Sequence, residues 1–130
     1  MATVGEVMST TLLAVEPTME LVEAARQMQG RNVGAVLVLS GDRLAGILTE
    51  RDVLRAVAAG RVEGTDVGAW MTRSPETIGP SDSTGYAASV MIHGGFRHLP
   101  VVDDGGTPLG IVSIRDLVRV TLDDQTPRGA

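Results

Sequence analysis

Thr49 and Asp52 stand three residues apart, as do Ser113 and Asp116, and each pair follows a glycine, Gly46 or Gly110, by three residues. A hydroxyl three residues ahead of a carboxylate, directly after an apolar run, marks the start of a helix. Two chemistries fit that spacing. In one, the pair is a capping box, in which hydroxyl and carboxylate satisfy free backbone N–H groups and no ligand is involved. In the other, the helix N-terminus, with its dipole and its N–H groups, receives an anion, the hydroxyl adds a bond, and the bare glycine leaves the strand open to a ligand. A single copy is read as a cap, because caps are common. A cap requires no glycine upstream and ordinarily prefers Glu or Gln to Asp, so the duplication of both extra features moves the reading toward a ligand.

The remaining residue types exclude more than they offer. The chain has no Cys, and all 11 of its basic residues are Arg. Disulfides, thiolate nucleophiles, cysteine zinc sites, Schiff-base lysines and a phosphate-loop lysine are therefore excluded. Imidazoles occur only at His93 and His98, too few for a metal cluster, so no metal site and no catalytic residue is assigned. A net charge of −5 and an aromatic set limited to Trp70, Tyr86 and Phe96 argue against nucleic acid as a partner. Any purine bound here sits against aliphatic side chains. No segment reaches the ~20 apolar residues of a membrane span, and the N-terminus lacks the pattern of a signal peptide, which implies a cytoplasmic protein with no membrane partner.

The elements that hold these residues come in two copies. Val4-Gly5-Glu6-Val7-Met8-Ser9 returns as Val67-Gly68-Ala69-Trp70-Met71-Thr72 at an offset of 63, and Gly46 to Arg55 returns as Gly110 to Arg119 at an offset of 64. The slip of one falls where both copies read as a turn, which absorbs it. In the first copy, residues 12–15 read as a short strand. Thr18 caps a helix with Leu21, Ala24, Ala25 and Met28 on one face, and residues 35–39 and 44–48 form a hairpin. A second helix from Thr49 turns Val53, Leu54 and Val57 inward. The second copy repeats the order, with Ile78 in the short strand, Ser81 near the cap, and a hairpin of residues 99–102 and 109–112 in which Pro100 points to a strand start or an edge. The paired methionines Met8, Met28, Met71 and Met91 read as core filling. Trp70, standing where the first copy has Val7, has no assigned role; exposed, it would suggest a dimer contact.

Two β-α-β-β-α copies, each opening V-G-x-x-M-[ST] and closing on G-h-h-[ST]-x-x-D, resemble the cystathionine β-synthase (CBS) domain pair, or Bateman module, over residues 4–122. The resemblance implies a stand-alone pair of the bacterial type and an α/β (α+β) fold, with repeat 1 over residues 1–63 and repeat 2 over 64–130, related by a pseudo-two-fold axis and packed through their sheets. It implies that Asp52 and Asp116 accept bonds from ribose hydroxyls, that Thr49 and Ser113 bond to ribose or phosphate, and that Gly46 and Gly110 admit the ligand. Arg97 and His98, before a buried strand, correspond to basic residues that approach phosphates in the family. A solvated charge at Arg97 and a hydrogen-bonded core imidazole at His98 are the commoner fates of such residues; the two readings are level for His98, and the ligand reading is favoured for Arg97. Thr11 and Leu12, and Arg73 and Ser74, lie in loops that resemble the segments whose backbone reads an adenine edge. Arg51 and Arg115 read as helix surface.

The function implied is that of a regulatory sensor without catalytic activity, binding AMP, ADP or ATP in clefts between the repeats. It needs no cofactor, with Mg²⁺ entering only beside ATP. NADH or S-adenosylmethionine is the alternative ligand, and a ligand-free dimerisation scaffold the alternative class. A homodimer and a regulated partner protein of unknown identity are implied. The Asp52 cleft is expected to be the tighter, on the premise that the fold carries Arg97 and His98 to it, against Gly34 and Ala35 for the Asp116 cleft.

Overall fold

A computed structural model describes residues 2–124, so Met1 and residues 125–130, at the outer ends of the two sequence halves, lie outside it. The elements follow in the order α1 (Val4–Val7), β1 (Ala14–Val15), α2 (Leu21–Arg31), β2 (Ala35–Ser40), β3 (Arg43–Thr49), α3 (Glu50–Ala58), α4 (Val67–Trp70), β4 (Thr72–Arg73), α5 (Thr84–Gly94), β5 (His98–Val102), β6 (Pro108–Ser113) and α6 (Ile114–Asp124). They form two compact units, and the cut does not follow the sequence repeats. One unit is Leu12–Pro75; the other joins the residues up to Thr11 to those from Glu76 onward. Each unit thus takes its short opening helix from the other repeat.

In the Leu12–Pro75 unit the sheet order is β1-β2-β3-β4, with β1 parallel to β2 and the other pairs antiparallel. The continuous apolar run of β2 is buried from Ala35 to Val38, and α2 lays Leu21, Ala24 and Met28 into the same core. Val67 and Met71, carried in by α4, complete that core. The other unit repeats the plan with β5 and β6, and its core of Ile78, Ala87, Met91, Leu99, Val101 and Val112 is completed by Val4 of α1. Met28, Met71 and Met91 are buried and Met8 is half-buried, in keeping with core filling.

Backbone bonds hold each borrowed segment. Val67 N–H donates to Met19 O at 2.9 Å and Gly68 N–H to Pro17 O at 2.8 Å; their repeat equivalents, Val4 N–H to Asp82 O and Gly5 N–H to Pro80 O, are both 2.8 Å. These contacts correct one expected cap. Helix α2 starts at Leu21 behind Glu20, not at Thr18, and has no side-chain cap; the Leu21 N–H instead donates to Thr65 O of the borrowed segment at 3.0 Å. Helix α5 is capped by Ser83, two residues after Ser81, its hydroxyl accepting from Tyr86 N–H.

The expected inward face of α3 is also corrected. Asp52 and Ala56 are buried and Val53 is half-buried, while Leu54 is 65% and Val57 53% exposed. The carboxylate of Asp52 bonds back to the helix start, and the residue one turn later follows it inward. Pro100 lies inside β5, not at its start; β5 is an edge of the two-stranded β5–β6 sheet, the other expected placement, and the proline is nonetheless buried. Its carbonyl accepts from Ile78 N–H, so its missing N–H faces the Ile78 side and leaves the β5–β6 ladder intact. The first copy has Leu37 there, whose N–H donates to Leu13 O. Without that donor, Ile78 makes only an isolated bridge where the first copy has the strand β1.

Candidate functional site

Each unit sets one motif beside the loop of the opposite repeat. In the Leu12–Pro75 unit, β4 pairs with β3 so that Gly46 faces Arg73 and Ile47 faces Thr72. In the other, Ser9 pairs with Ile111, its N–H donating to Ile111 O at 2.9 Å and its carbonyl accepting from Ile111 N–H at 3.0 Å. Gly46, Thr49 and Asp52 are thereby joined with Arg73 and Ser74, and Gly110, Ser113 and Asp116 with Thr11. Leu12, the residue after Thr11, is the first of the Leu12–Pro75 unit.

The glycines have a reason of their own. A Cβ at Gly46 would fall on the Thr72 carbonyl oxygen and lie 2.9 Å from Met71 Sδ; at Gly110 it would fall on the Ser9 carbonyl oxygen and lie 3.1 Å from Met8 Sδ. The crossing backbone therefore demands a glycine before any ligand does. Ser74, just past β4, has φ +46°, a left-handed conformation that turns the loop sharply away from the strand. Arg73 Nη2 donates to Gly68 O at 3.1 Å and its side chain is exposed.

The capping box is present in both copies. Asp52 Oδ2 accepts from Thr49 N–H at 3.0 Å, and Thr49 Oγ1 accepts from Asp52 N–H at 3.3 Å. Asp116 Oδ2 accepts from Ser113 N–H at 2.8 Å, and Ser113 Oγ accepts from Asp116 N–H at 3.1 Å. Each helix's first N–H is also engaged: Glu50 N–H donates to Gly34 O and Ile114 N–H to Arg97 O, both at 2.9 Å. Two of the donors that would receive an anion at each helix start are already bonded.

Beyond the cap the copies diverge. Thr49 Oγ1 also donates to Asp52 Oδ2 at 3.1 Å, and Arg55 Nη1 donates to Asp52 Oδ1 at 3.1 Å, so both carboxylate oxygens and the hydroxyl proton are engaged and Asp52 is 4% exposed. Arg119 stands 3.9 Å from Asp116 Oδ1, too far for a hydrogen bond, and the Asp116 side chain is 18% exposed against 6% for that of Asp52. Arg55 and Arg119 were not picked out from the sequence as partners of the aspartates. The readable signal was D-x-x-R in both copies, a spacing that puts carboxylate and guanidinium on one helix face.

Arg97 and His98 open β5 in the Ser113–Asp116 unit: His98 faces Ser113 across the ladder and is half-buried, whereas Arg97 is exposed. Arg51 and Arg115 are exposed on their helices, as expected. Trp70 is half-buried; its Nε1–H donates to Thr65 Oγ1 at 3.1 Å, and the Arg55 guanidinium carbon lies 5.9 Å from its ring centroid. Those bonds within its own unit supply the role that the sequence did not assign. Among the described residues no group of three or more His, Cys, Asp or Glu converges on a metal position, and no helix is long and apolar enough to cross a membrane.

The duplicated arrangement has close counterparts. A protein of Acidianus ambivalens described as an uncharacterised 17.7 kDa protein is 38% identical over 124 residues, covering 95% of this chain and 75% of its own length. A CBS-domain protein from Burkholderia ambifaria superposes with a TM-score of 0.92 at 34% identity, covering 99% of this chain and 100% of that one. CBSX2 from Arabidopsis thaliana, in complex with AMP, superposes with a TM-score of 0.85 at 28% identity, covering 96% and 99%. The family model of the CBS domain matches twice, over residues 4–59 and 66–123, each match carrying one glycine, one hydroxyl–carboxylate pair and one opening helix. With this α+β architecture in two tandem copies, the chain belongs to the CBS-domain family and is a CBS pair.

Proposed function

We propose that the chain is a regulatory module that binds an adenosine nucleotide, AMP before ADP or ATP, at its two Gly-x-x-[Ser/Thr]-x-x-Asp motifs and carries out no chemistry itself. The observation that carries this reading is the juxtaposition, made in each unit, of a loop backbone, a glycine-cleared strand and a helix start bearing a hydroxyl and a carboxylate. Peptide groups suit the donor and acceptor edge of a purine. The carboxylate suits a ribose diol, and the positive end of the helix dipole suits a phosphate. The AMP complex of the related CBSX2 supports the same ligand class. In this assignment Asp52 and Asp116 take ribose hydroxyls, Thr49 and Ser113 take ribose or phosphate, and the backbone near Thr11 and Leu12 and near Arg73 and Ser74 meets the base.

A base read by backbone groups discriminates through unpaired donors and acceptors, each costing about 1–3 kcal/mol. Calorimetry should therefore show AMP binding at least tenfold more tightly than GMP; equal affinities reject the reading. Arg97 contributes through phosphate alone. Arg97→Ala should weaken AMP by about 1.5–2 kcal/mol, the lower part of the range for a bond to a charged group, while leaving adenosine unchanged. Added salt should shrink that difference, because Arg97 is exposed. Equal losses for AMP and adenosine would place Arg97 away from the phosphate.

A second reading, assembly, is favoured by the apolar residues that the helices leave exposed, Leu54 and Val57 on α3 and Ile114 and Val118 on α6. We propose that these surfaces serve a homodimer, compatible with nucleotide binding. A module that only assembled would show a concentration-dependent melting temperature with no response to nucleotide.

A further inference from the structure

The two motifs differ in how far the protein already occupies them, and the difference is traceable to one side chain. At Asp52 the carboxylate is spoken for: Thr49 N–H and Oγ1–H on Oδ2, and Arg55 on Oδ1. Arg55 is itself held in place. Its guanidinium lies over the Trp70 ring at 5.9 Å, and the ring is anchored in turn by the bond from Nε1–H to Thr65 Oγ1. At the corresponding positions of the other unit stand Val7 and Ala2, which offer neither a π-face nor a hydroxyl. There Arg119 stands 3.9 Å from Asp116 Oδ1, beyond hydrogen-bonding distance, and that oxygen keeps its acceptor capacity.

We infer that Trp70 and Arg55 form an internal bracket that occupies the Asp52 carboxylate and makes the Asp52 motif the weaker of two unequal nucleotide sites, Asp116 filling first. The inference rests on the nucleotide reading above and reverses the site order expected from the sequence. A ribose diol reaching Asp52 must displace the hydrogen bond from Arg55, whereas Asp116 Oδ1 holds no hydrogen bond among the described residues, only the looser ion pair with Arg119. Because Arg55 lies over the only Trp of the chain, filling the weak site must also change the surroundings of that indole. The module then carries its own report of high nucleotide concentration, separate from filling of the strong site.

Calorimetry and Trp70 emission, read in the same AMP titration of the full chain, test this. The wild type should show a strong phase without an emission change and a weak phase with one. Asp116→Ala should remove the strong phase, and Asp52→Ala the emission change. Arg55→Ala and Trp70→Val should each tighten the weak phase roughly two- to fivefold, the scale for release of an ion pair whose guanidinium is solvent-exposed. Trp70→Phe, which keeps a ring beneath Arg55 but loses the anchoring bond, should tighten it less. A weak phase unchanged or weakened in both Arg55→Ala and Trp70→Val, or an emission change that survives Asp52→Ala and disappears with Asp116→Ala, overturns the bracket while leaving nucleotide binding intact. No heat from AMP, ADP or ATP with the folded wild type rejects the nucleotide reading, and the bracket falls with it.

Discussion

Replacing Asp116 by alanine should lower nucleotide affinity at its motif by about 1.5–3 kcal/mol, roughly 10- to 150-fold, the range for hydrogen bonds to a charged group. In the same variant the ligand-free protein should lose only about 0.5–2 kcal/mol, the cost of a helix cap. The separation follows from the two oxygens of the carboxylate. Oδ2 accepts from Ser113 N–H and stabilises the fold, whereas Oδ1, beyond bonding distance of Arg119, is available to a ribose. Asp52→Ala should show the reverse balance. The buried carboxylate there takes three bonds, and its loss strands the Thr49 N–H, so the stability cost should lie toward the upper end of that range and the affinity cost toward the lower. Calorimetry and thermal melting on the two variants read both quantities. If both lose stability and keep full nucleotide affinity, the motifs are helix caps and nothing more.

Gly46→Ala and Gly110→Ala should each destabilise the chain by about 1–3 kcal/mol, the usual cost of an extra carbon in a site with no room for it. In each case the new methyl meets a backbone carbonyl, Thr72 O or Ser9 O, and a methionine sulfur. The sulfur can swing aside; the carbonyl cannot move without opening the β3–β4 pairing or the Ser9–Ile111 bridge. The melting temperature should fall by roughly 5–10 °C for a domain of this size. Gly30→Ala is the internal control. Gly30 lies within α2 with no atom within 4 Å of an added Cβ, so this variant should gain about 0.5–1 kcal/mol from helix propensity. A Gly46→Ala protein with unchanged melting but no nucleotide affinity would show that the glycine clears space for a ligand and not for the chain.

Much of the fold was legible because its signals are local. The apolar run of β2 and the spacing of Leu21, Ala24 and Met28 each depend on residues within one or two turns, and the offset that carries Gly46 to Arg55 onto Gly110 to Arg119 shows when the chain is aligned with itself. The hydroxyl–carboxylate pairs were legible for the same reason, and both form the caps that their spacing allows. The cap expected at Thr18 is absent because backbone from a distant segment supplies that helix start, Leu21 N–H ending on Thr65 O. Apolar spacing points Leu54 and Val57 inward, but the face of α3 is set by the Asp52 carboxylate, whose three bonds draw it and Ala56 into the protein.

By itself, the sequence determined that this chain is two copies of one unit, which residues in each copy can hold a hydroxyl, a carboxylate and a bare strand together, and that cysteine and lysine chemistry is excluded. Tertiary structure alone decided which opening helix completes which core. Val4-Gly5 and Val67-Gly68 carry nearly the same side chains, so either could close either unit on pattern grounds, and only the long-range backbone bonds show Val67 and Gly68 on Met19 and Pro17, and Val4 and Gly5 on Asp82 and Pro80. It also decided the inequality of the motifs. Sequence presents Asp52–Arg55 and Asp116–Arg119 as equivalent pairs, but whether a guanidinium reaches its carboxylate depends on what lies beneath it. That support, Trp70 held by Thr65, comes from a segment fifteen residues along the chain, brought under α3 by the packing of the unit.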